Sequence, residues 1–262
     1  MNRVKNNIGC FIMCRMSSSR LPGKALAPIR GKSVIQHIIE RARLVTCSDV
    51  IVLCTSTDQE DDILESIAGK NGIGVFRGSR EDVLERLLGA ALHFHTDYFI
   101  NYTGDNIFCD PGLMDAGIRQ MIDGNLDFMN VPADLVVGGA AYCIATEALQ
   151  KVCQTKDNDR TESYPQYFMT RKEFNIGNLD AGDPIFYDTN VRVTVDYPED
   201  LEFARRIFDE FDTDVNNIPL KRILELLRQK PEIARINFFR QNDWAARQKI
   251  QKKTTGPRGS RS

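Results

Sequence analysis

Short apolar runs alternate with amphipathic helical patterns through the first half of the chain, and this alternation constrains the fold more than any other feature. The first run, Ile8–Met13, has the bulk of a buried strand, and similar runs follow at residues 49–56 and 97–105. Segments of helical period lie between them, and residues 33–45 place their apolar side chains on one helix face. The alternation predicts a three-layer α/β domain in which helices cover both faces of a mostly parallel sheet.

The pattern is less regular over residues 133–188 and becomes strong again beyond them. Residues 190–195 alternate in the manner of a strand, and Pro198 opens a helical pattern that continues to residue 211. We therefore assign residues 1–239 to one domain, with residues 133–188 as a segment inserted within it.

Residues 240–262 form a basic tail in which one acid, Asp243, stands against a series of cations. We expect a frayed helix followed by a flexible end, and we favour a solvated tail over a nucleic-acid-binding one. The cations are Arg240, Arg247, Lys249, Lys252, Lys253, Arg258 and Arg261.

Composition excludes several classes of partner and location. The net charge of −2 over 262 residues does not favour nucleic acid or a membrane surface as a partner. No apolar run approaches the roughly 20 residues that cross a bilayer, and the first one is too short for a secretory signal. The seven cysteines include no CxxC pair, which indicates a reducing, cytoplasmic setting without disulfides.

Residues 14–24, with the sequence CRMSSSRLPGK, follow the first predicted strand directly. In doubly wound sheets, ligands bind at the carboxyl ends of the strands, which is where this loop is expected to lie. Its glycine, Gly23, and its serines permit close approach of the backbone, and its cations suit a polyphosphate. These cations are Arg15, Arg20 and Lys24. The loop lacks the P-loop pattern, and a solvated basic turn is the alternative, but its position favours phosphate binding.

Two carboxylates stand at predicted strand ends. Asp105 closes the sequence TGD after one strand, and Asp196 ends the predicted strand 190–195. Taken singly, Asp105 also fits a turn and Asp196 a helix cap, while Glu199 and Asp200 fit acids of a first helical turn. Beside a polyphosphate loop, the pair predicts a Mg²⁺ site, because Mg²⁺ is held by one or two carboxylates together with water and phosphate oxygens.

Five segments in this order resemble the cytidylyltransferase family of CMP-sialate and CMP-Kdo synthetases, especially its spore coat polysaccharide biosynthesis members. The likeness runs from about residue 8 to residue 211 through RMSSSRLPGK, IVLCTSTDQEDD, VFRGSREDVLER, NYTGD and VRVTVDYPEDLEFA. It implies a Rossmann-like nucleotidyltransferase fold with a small insertion for the acceptor and dimerisation, and a homodimer. It also implies transfer of CMP from CTP to an anionic acceptor, with Mg²⁺ and with release of pyrophosphate.

The resemblance also implies roles for individual residues. The metal would be held by Asp105 and Asp196. The triphosphate loop would consist of Arg15, Ser19, Arg20, Gly23 and Lys24, of which Arg15, Arg20 and Lys24 would act catalytically. The nucleotide side would further include Arg77, Gly78, Ser79, Asp82 and Thr103. The acceptor side would include Tyr142, Arg160 and Glu162.

One departure from the family pattern leaves the acceptor open. Ala140 and Tyr142 stand where the spore coat relatives carry two spaced acids, so a sialate-like acceptor is not implied. We expect an acidic sugar such as a nonulosonic acid, or a phosphate or phosphonate compound. A metal-dependent GT-A-type glycosyltransferase and a non-catalytic nucleotide-binding scaffold are the alternatives. The intact cationic loop disfavours the glycosyltransferase, because a nucleoside diphosphate-sugar needs fewer cations than a triphosphate.

Overall fold

The structure, a computed structural model, describes residues 6–257. Its strands are β1 Ile8–Met13, β2 Pro28–Ile29, β3 Lys32–Ser33, β4 Val50–Ser56, β5 Gly74–Gly78, β6 Tyr98–Thr103, β7 Phe128–Asn130, β8 Tyr142–Ala145 and β9 Ile176–Asn178. Its helices are α1 Val34–Ala42, α2 Asp62–Lys70, α3 Val83–His93, α4 Pro111–Asp123, α5 Thr146–Thr155, α6 Pro165–Met169, α7 Pro198–Asp209, α8 Leu220–Gln229, α9 Pro231–Ala234 and α10 Arg240–Thr255.

The central sheet has seven strands in the order β5-β4-β1-β6-β8-β7-β9. Strand β1 pairs in parallel with both β4 and β6, and β4 pairs in parallel with β5. Strand β8 runs antiparallel to β6 and β7, whereas β9 is parallel to β7. The predicted mostly parallel α/β sheet is thereby confirmed, and the carboxyl ends of β1 and β6 lie side by side.

The middle of the sheet is buried on both faces, which explains why β1 is continuously apolar rather than alternating. Cys10, Phe11 and Ile12 have no exposed surface, and Phe11 stacks on Phe99 of β6 with ring centroids 4.7 Å apart. Helix α1 covers one face with its apolar side chains, as its spacing predicts. The core fixes the strand ends from which the site is built.

The prediction of a strand over residues 190–195 is wrong. The segment forms only an isolated parallel bridge between Arg192 and Val137, in which Val193 N donates to Val137 O at 2.8 Å, and a separate bond from Val195 N to Asp105 O at 2.8 Å. One isolated bridge and one further bond do not make a ladder, so the alternating pattern here reflects burial beside the sheet rather than membership of it.

The basic tail is better ordered than the frayed helix we expected. Helix α10 extends over sixteen residues, and Thr255 at its end is buried. Arg258 and Arg261, which belong to the predicted flexible end, lie outside the described residues.

Two further observations concern the cysteines and the length of the apolar helices. All seven cysteines are free. Within residues 6–257, no helix has the length and apolar character needed to span a bilayer.

Candidate active site

The basic loop leaves β1 at the carboxyl edge of the sheet and is tied down by a buried acid. Asp61 accepts hydrogen bonds from Met16 N at 2.7 Å and from Ser56 N at 3.1 Å, and Ser56 Oγ donates to it as well. Gly23 turns the chain with φ 71°, in the left-handed region that favours glycine. These contacts hold the loop in a fixed path over the strand ends.

Burial alone would raise the pKa of Asp61, but the hydrogen bonds from Met16 and Ser56 outweigh it and hold that pKa below its ordinary value. The carboxylate therefore stabilises the folded chain. This contribution is complete above the ordinary aspartate pKa of about 3.9, and it is lost as the pH falls through the lower pKa of the folded state.

The Asp61→Asn variant is accordingly expected to lose about 1–3 kcal/mol of unfolding free energy at pH 7, because buried donors lose an ionised acceptor. The difference from wild type should shrink as the pH falls below about 4. Urea unfolding over this pH range measures it, with Glu60→Gln as an exposed neighbouring control. A deficit that is equal at all pH values would contradict the assignment.

The two predicted metal aspartates lie together. Lys24 Nζ donates to Asp105 Oδ2 at 2.9 Å and to Asp196 Oδ1 at 3.1 Å, so a single ammonium contacts both carboxylates. It also donates to Val195 O at 2.9 Å. Burial alone would lower the pKa of Lys24, but Asp105 and Asp196 reverse that effect and raise it, so the ammonium stays charged.

Asp196 sits in a dense set of cations. Besides Lys24, Arg20 donates to its Oδ1 and Arg192 Nη2 donates to its Oδ2 at 3.0 Å. Burial would raise the pKa of Asp196, yet Lys24, Arg20 and Arg192 lower it overall, so this carboxylate is ionised at neutral pH.

Arg192 is itself held by Asp200. The guanidinium donates from Nε and Nη2 to the two carboxylate oxygens at 2.8 and 2.9 Å, and both side chains are fully buried. Asp200 also accepts from the backbone N of Asp196 and Tyr197. The sequence indicated Asp200 as a helix-start acid, which is correct, but it gave no sign of the buried Arg192 partner.

Arg15, unlike Arg20 and Lys24, makes its contacts away from the two aspartates. It donates to Glu162 Oε1 at 2.8 Å and to Arg80 O at 2.6 Å. An open cleft of about 600 Å³ lies here, lined by Arg15, Ser19, Gly23, Arg80, Arg160 and Glu162 among others. The structure thus brings Arg15, one of the three predicted loop cations, to one cleft with two predicted acceptor residues, whereas Arg20 and Lys24 contact Asp196 instead.

Arg77 and Gly78 lie at the carboxyl end of β5, the edge strand of the sheet, and do not line this cleft. Arg77 donates to Asp62 and Glu65 on α2, both at 2.7 Å, and so faces the outer edge of the sheet. Gly78 packs closely, because an added Cβ would lie 3.2 Å from the backbone of Arg86.

Ser79 and Asp82 organise the start of α3. Ser79 Oγ accepts from Asp82 N at 3.0 Å, and Asp82 caps the helix by accepting from Glu85 N at 3.2 Å. Asp82 also accepts from Thr161 Oγ1 at 2.8 Å, next to Glu162. The contacts of these side chains are structural, and a direct part in nucleotide binding stays a prediction.

The remaining predicted residues lie at or near the carboxyl edge. Thr103 ends β6, two residues before Asp105. Tyr142 begins β8 opposite Asn101 of β6, stacks on Phe128 at 5.5 Å and meets Tyr164 edge-on at 5.9 Å. Arg160 is exposed, with Nε 3.4 Å from Glu81.

The donor set around Lys24 suits a divalent cation that arrives with a nucleotide. Two carboxylates and the Val195 carbonyl surround one positive atom, and these are oxygen donors of the kind that Mg²⁺ takes. Within the described residues, no group of three or more His, Cys, Asp and Glu side chains could hold a metal. An ion held by these donors would take its remaining ligands from phosphate oxygens and water.

A doubly wound sheet whose first strand leads into a cationic loop, beside paired carboxylates, is the arrangement of a nucleotidyltransferase. Residues 10–225 match the family model described as cytidylyltransferase. The chain belongs to this family of enzymes, and the resemblance in the sequence is confirmed.

Similar proteins agree with this assignment. Spore coat polysaccharide biosynthesis protein SpsF of Bacillus subtilis is 29% identical over 239 residues, which cover 87% of this chain and 97% of that protein. The 8-amino-3,8-dideoxy-manno-octulosonate cytidylyltransferase of Shewanella amazonensis is 29% identical over 225 residues, or 84% of this chain and 82% of that one. The solved structure of a cytidylyltransferase from Leptospira borgpetersenii superposes with a TM-score of 0.81 at 25% identity, covering 87% of this chain and 97% of that chain.

Proposed function

We propose that this chain transfers CMP from CTP to a small anionic acceptor and releases pyrophosphate, with Mg²⁺ as its metal. The observation that carries the proposal is the contact of Lys24 with both Asp105 and Asp196, next to the cationic loop. This arrangement offers cations to a triphosphate and carboxylates to the metal that accompanies it. A homodimer and a cytoplasmic location are part of the same proposal.

The chain's own residues would act mainly by position and charge. In phosphoryl-type transfer, the acceptor oxygen attacks the α-phosphorus and pyrophosphate departs, so charge must be neutralised on the leaving oxygens. Arg15, Arg20 and Lys24 are the cations proposed to neutralise that charge. Asp105 and Asp196 would hold Mg²⁺, which supplies Lewis-acid polarisation of the phosphate when bound.

The acceptor is proposed to be an anion that needs little activation. The Shewanella relative is named for a sugar acid, 8-amino-3,8-dideoxy-manno-octulosonate, and a carboxylated sugar is therefore the first class to test. Tyr142 lies among aromatic rings, and burial raises its pKa, so its hydroxyl stays neutral near pH 7. Arg160 at the rim of the cleft is the cation proposed to meet the acceptor anion.

The function is tested by measuring pyrophosphate release from CTP and Mg²⁺ across a panel of sugar acids, phosphates and phosphonates, with mass spectrometry of the products. Formation of a CMP-linked acid is the expected result. Consumption of a CDP- or UDP-sugar instead would establish the GT-A-type glycosyltransferase. Binding of CTP without turnover of any acceptor in the panel would favour the non-catalytic scaffold.

The Lys24→Ala variant is expected to require about 10–100-fold more CTP for half-maximal rate, because a charge-assisted contact to phosphate is lost. Initial rates against CTP concentration measure this, alongside the unfolding midpoint. Lys32→Ala on β3 removes the same charge from a surface ion pair with Glu40 and serves as the control. An unchanged CTP dependence in Lys24→Ala would exclude the proposed role of the loop.

A further inference from the structure

Helix α10 lies beyond the matched residues 10–225, yet its side chains contact residues of the candidate site. Five cations and one acid make it strongly basic, and it has no continuous apolar stripe. Such a helix gains little from burial, so polar contacts must hold it in place.

Both ends of α10 are held by side-chain contacts with other parts of the chain. At its start, Arg240 makes a two-pronged contact with Glu199 of α7 at 2.8 and 3.0 Å, near the metal aspartates. At its end, Thr255 Oγ1 accepts from Ser163 N at 3.0 Å and donates to Ser163 Oγ at 2.9 Å, beside Glu162. Sixteen residues at about 1.5 Å each give a bridge of roughly 24 Å.

Two side chains in the second half of α10 reach the phosphate-loop side of the cleft. Arg247 Nη2 donates to Ser19 Oγ at 2.7 Å. Gln251 Nε2 donates to Glu162 Oε2 at 2.9 Å, while the other oxygen of Glu162 accepts from Arg15. The helix therefore touches one predicted phosphate ligand directly and a second through Glu162.

The contact of Arg247 leaves most of its guanidinium available. Arginine carries five N–H donors in a planar fork that matches phosphate oxygens, and a single hydroxyl uses only one of them. Arg247 and Ser19 are both exposed, so a phosphate can reach this hydrogen bond from solvent and replace or join it without any movement of a buried charged group.

From these contacts we infer that α10 forms the outer wall of the triphosphate cleft and that Arg247 is a further phosphate-binding residue of the site. The inference rests on the proposed function, since the cleft is taken to hold the triphosphate of CTP. Gln251 is a positioning residue, because it holds Glu162, which in turn orients Arg15.

Calorimetric binding of two probes to the full chain tests this inference: inorganic tripolyphosphate and CTP, each with Mg²⁺. Arg247→Ala is expected to bind both about tenfold more weakly than wild type, which corresponds to the loss of one charge-assisted hydrogen bond. Lys249→Ala, which removes an exposed cation from the same helix, should stay within about twofold for both probes. Arg247 is exposed, so its replacement should leave the unfolding midpoint unchanged.

Equal binding by wild type and Arg247→Ala would overturn the inference, and so would tighter binding by the variant, because α10 would then compete with phosphate. If wild type binds tripolyphosphate in an Arg247-dependent way but does not bind CTP, the phosphate site stands and the proposed function fails. If wild type binds neither probe, both are overturned.

Discussion

The Asp105→Asn variant is expected to turn over CTP about 10²–10³-fold more slowly than wild type while remaining folded. Asparagine keeps the size of the side chain and an oxygen that can accept from Lys24 Nζ, but it removes the negative charge that would hold a divalent cation. The side chain of Asp105 is 25% exposed. Lys24 keeps its contact with Asp196 in the variant, so no buried cation is left without a partner.

Steady-state rates and urea unfolding of Asp105→Asn measure the two halves of this prediction. Binding of Mn²⁺ in the presence of CTP, followed by electron paramagnetic resonance, reports on the metal separately and should weaken in the variant. Asp123→Asn, which neutralises an exposed carboxylate at the end of α4, is the control. Full activity with unchanged Mn²⁺ binding in Asp105→Asn would show that the metal lies elsewhere.

Asp105 is the better test of the metal than Asp196, for a reason that only the structure gives. In the sequence the two acids are equivalent, because each ends a predicted strand. In the fold, Asp196 is buried against Arg20, Lys24 and Arg192. Its replacement would therefore leave several cations without this partner. Strand-end position predicts that the acids share an edge, but it does not predict how many cations each one balances.

The sheet was predictable because its signal is local. Continuous apolar runs such as β1 and amphipathic spacing such as that of α1 are set by burial along one element, and the sequence displays them directly. Residues 190–195 show the same signal without forming a strand, because their burial comes from the contacts of Val193 and Val195 with distant loops. Periodicity reports burial and cannot tell which partner provides it.

The ordering of α10 was not predictable for the opposite reason. Its polar sequence carries no periodic apolar signal, and the contacts that hold it join residues far apart in the chain, such as Arg240 with Glu199 and Thr255 with Ser163. The role of Asp61 is hidden in the sequence for the same reason, since nothing there distinguishes it from the other three acids of residues 58–62, although it alone accepts from Met16.

Glu199 and Asp200 are adjacent acids whose different partners cannot be read from the sequence, and they allow a paired experiment. Both acids begin α7, as predicted. Glu199 faces the surface and pairs with Arg240, with both side chains about 30% exposed. Asp200 is fully buried, and it joins Arg192 to the backbone of Asp196.

Asp200→Ala is therefore expected to lower the unfolding free energy by about 3–5 kcal/mol, because it leaves the buried Arg192 without its two-pronged partner. Glu199→Ala, one residue away, should cost at most about 1 kcal/mol, since it breaks a solvent-screened pair. Urea unfolding of both variants at pH 7 measures the difference. Equal losses would mean that the Arg192–Asp200 pair does not fix Asp196 in place, and that another contact holds this edge of the site.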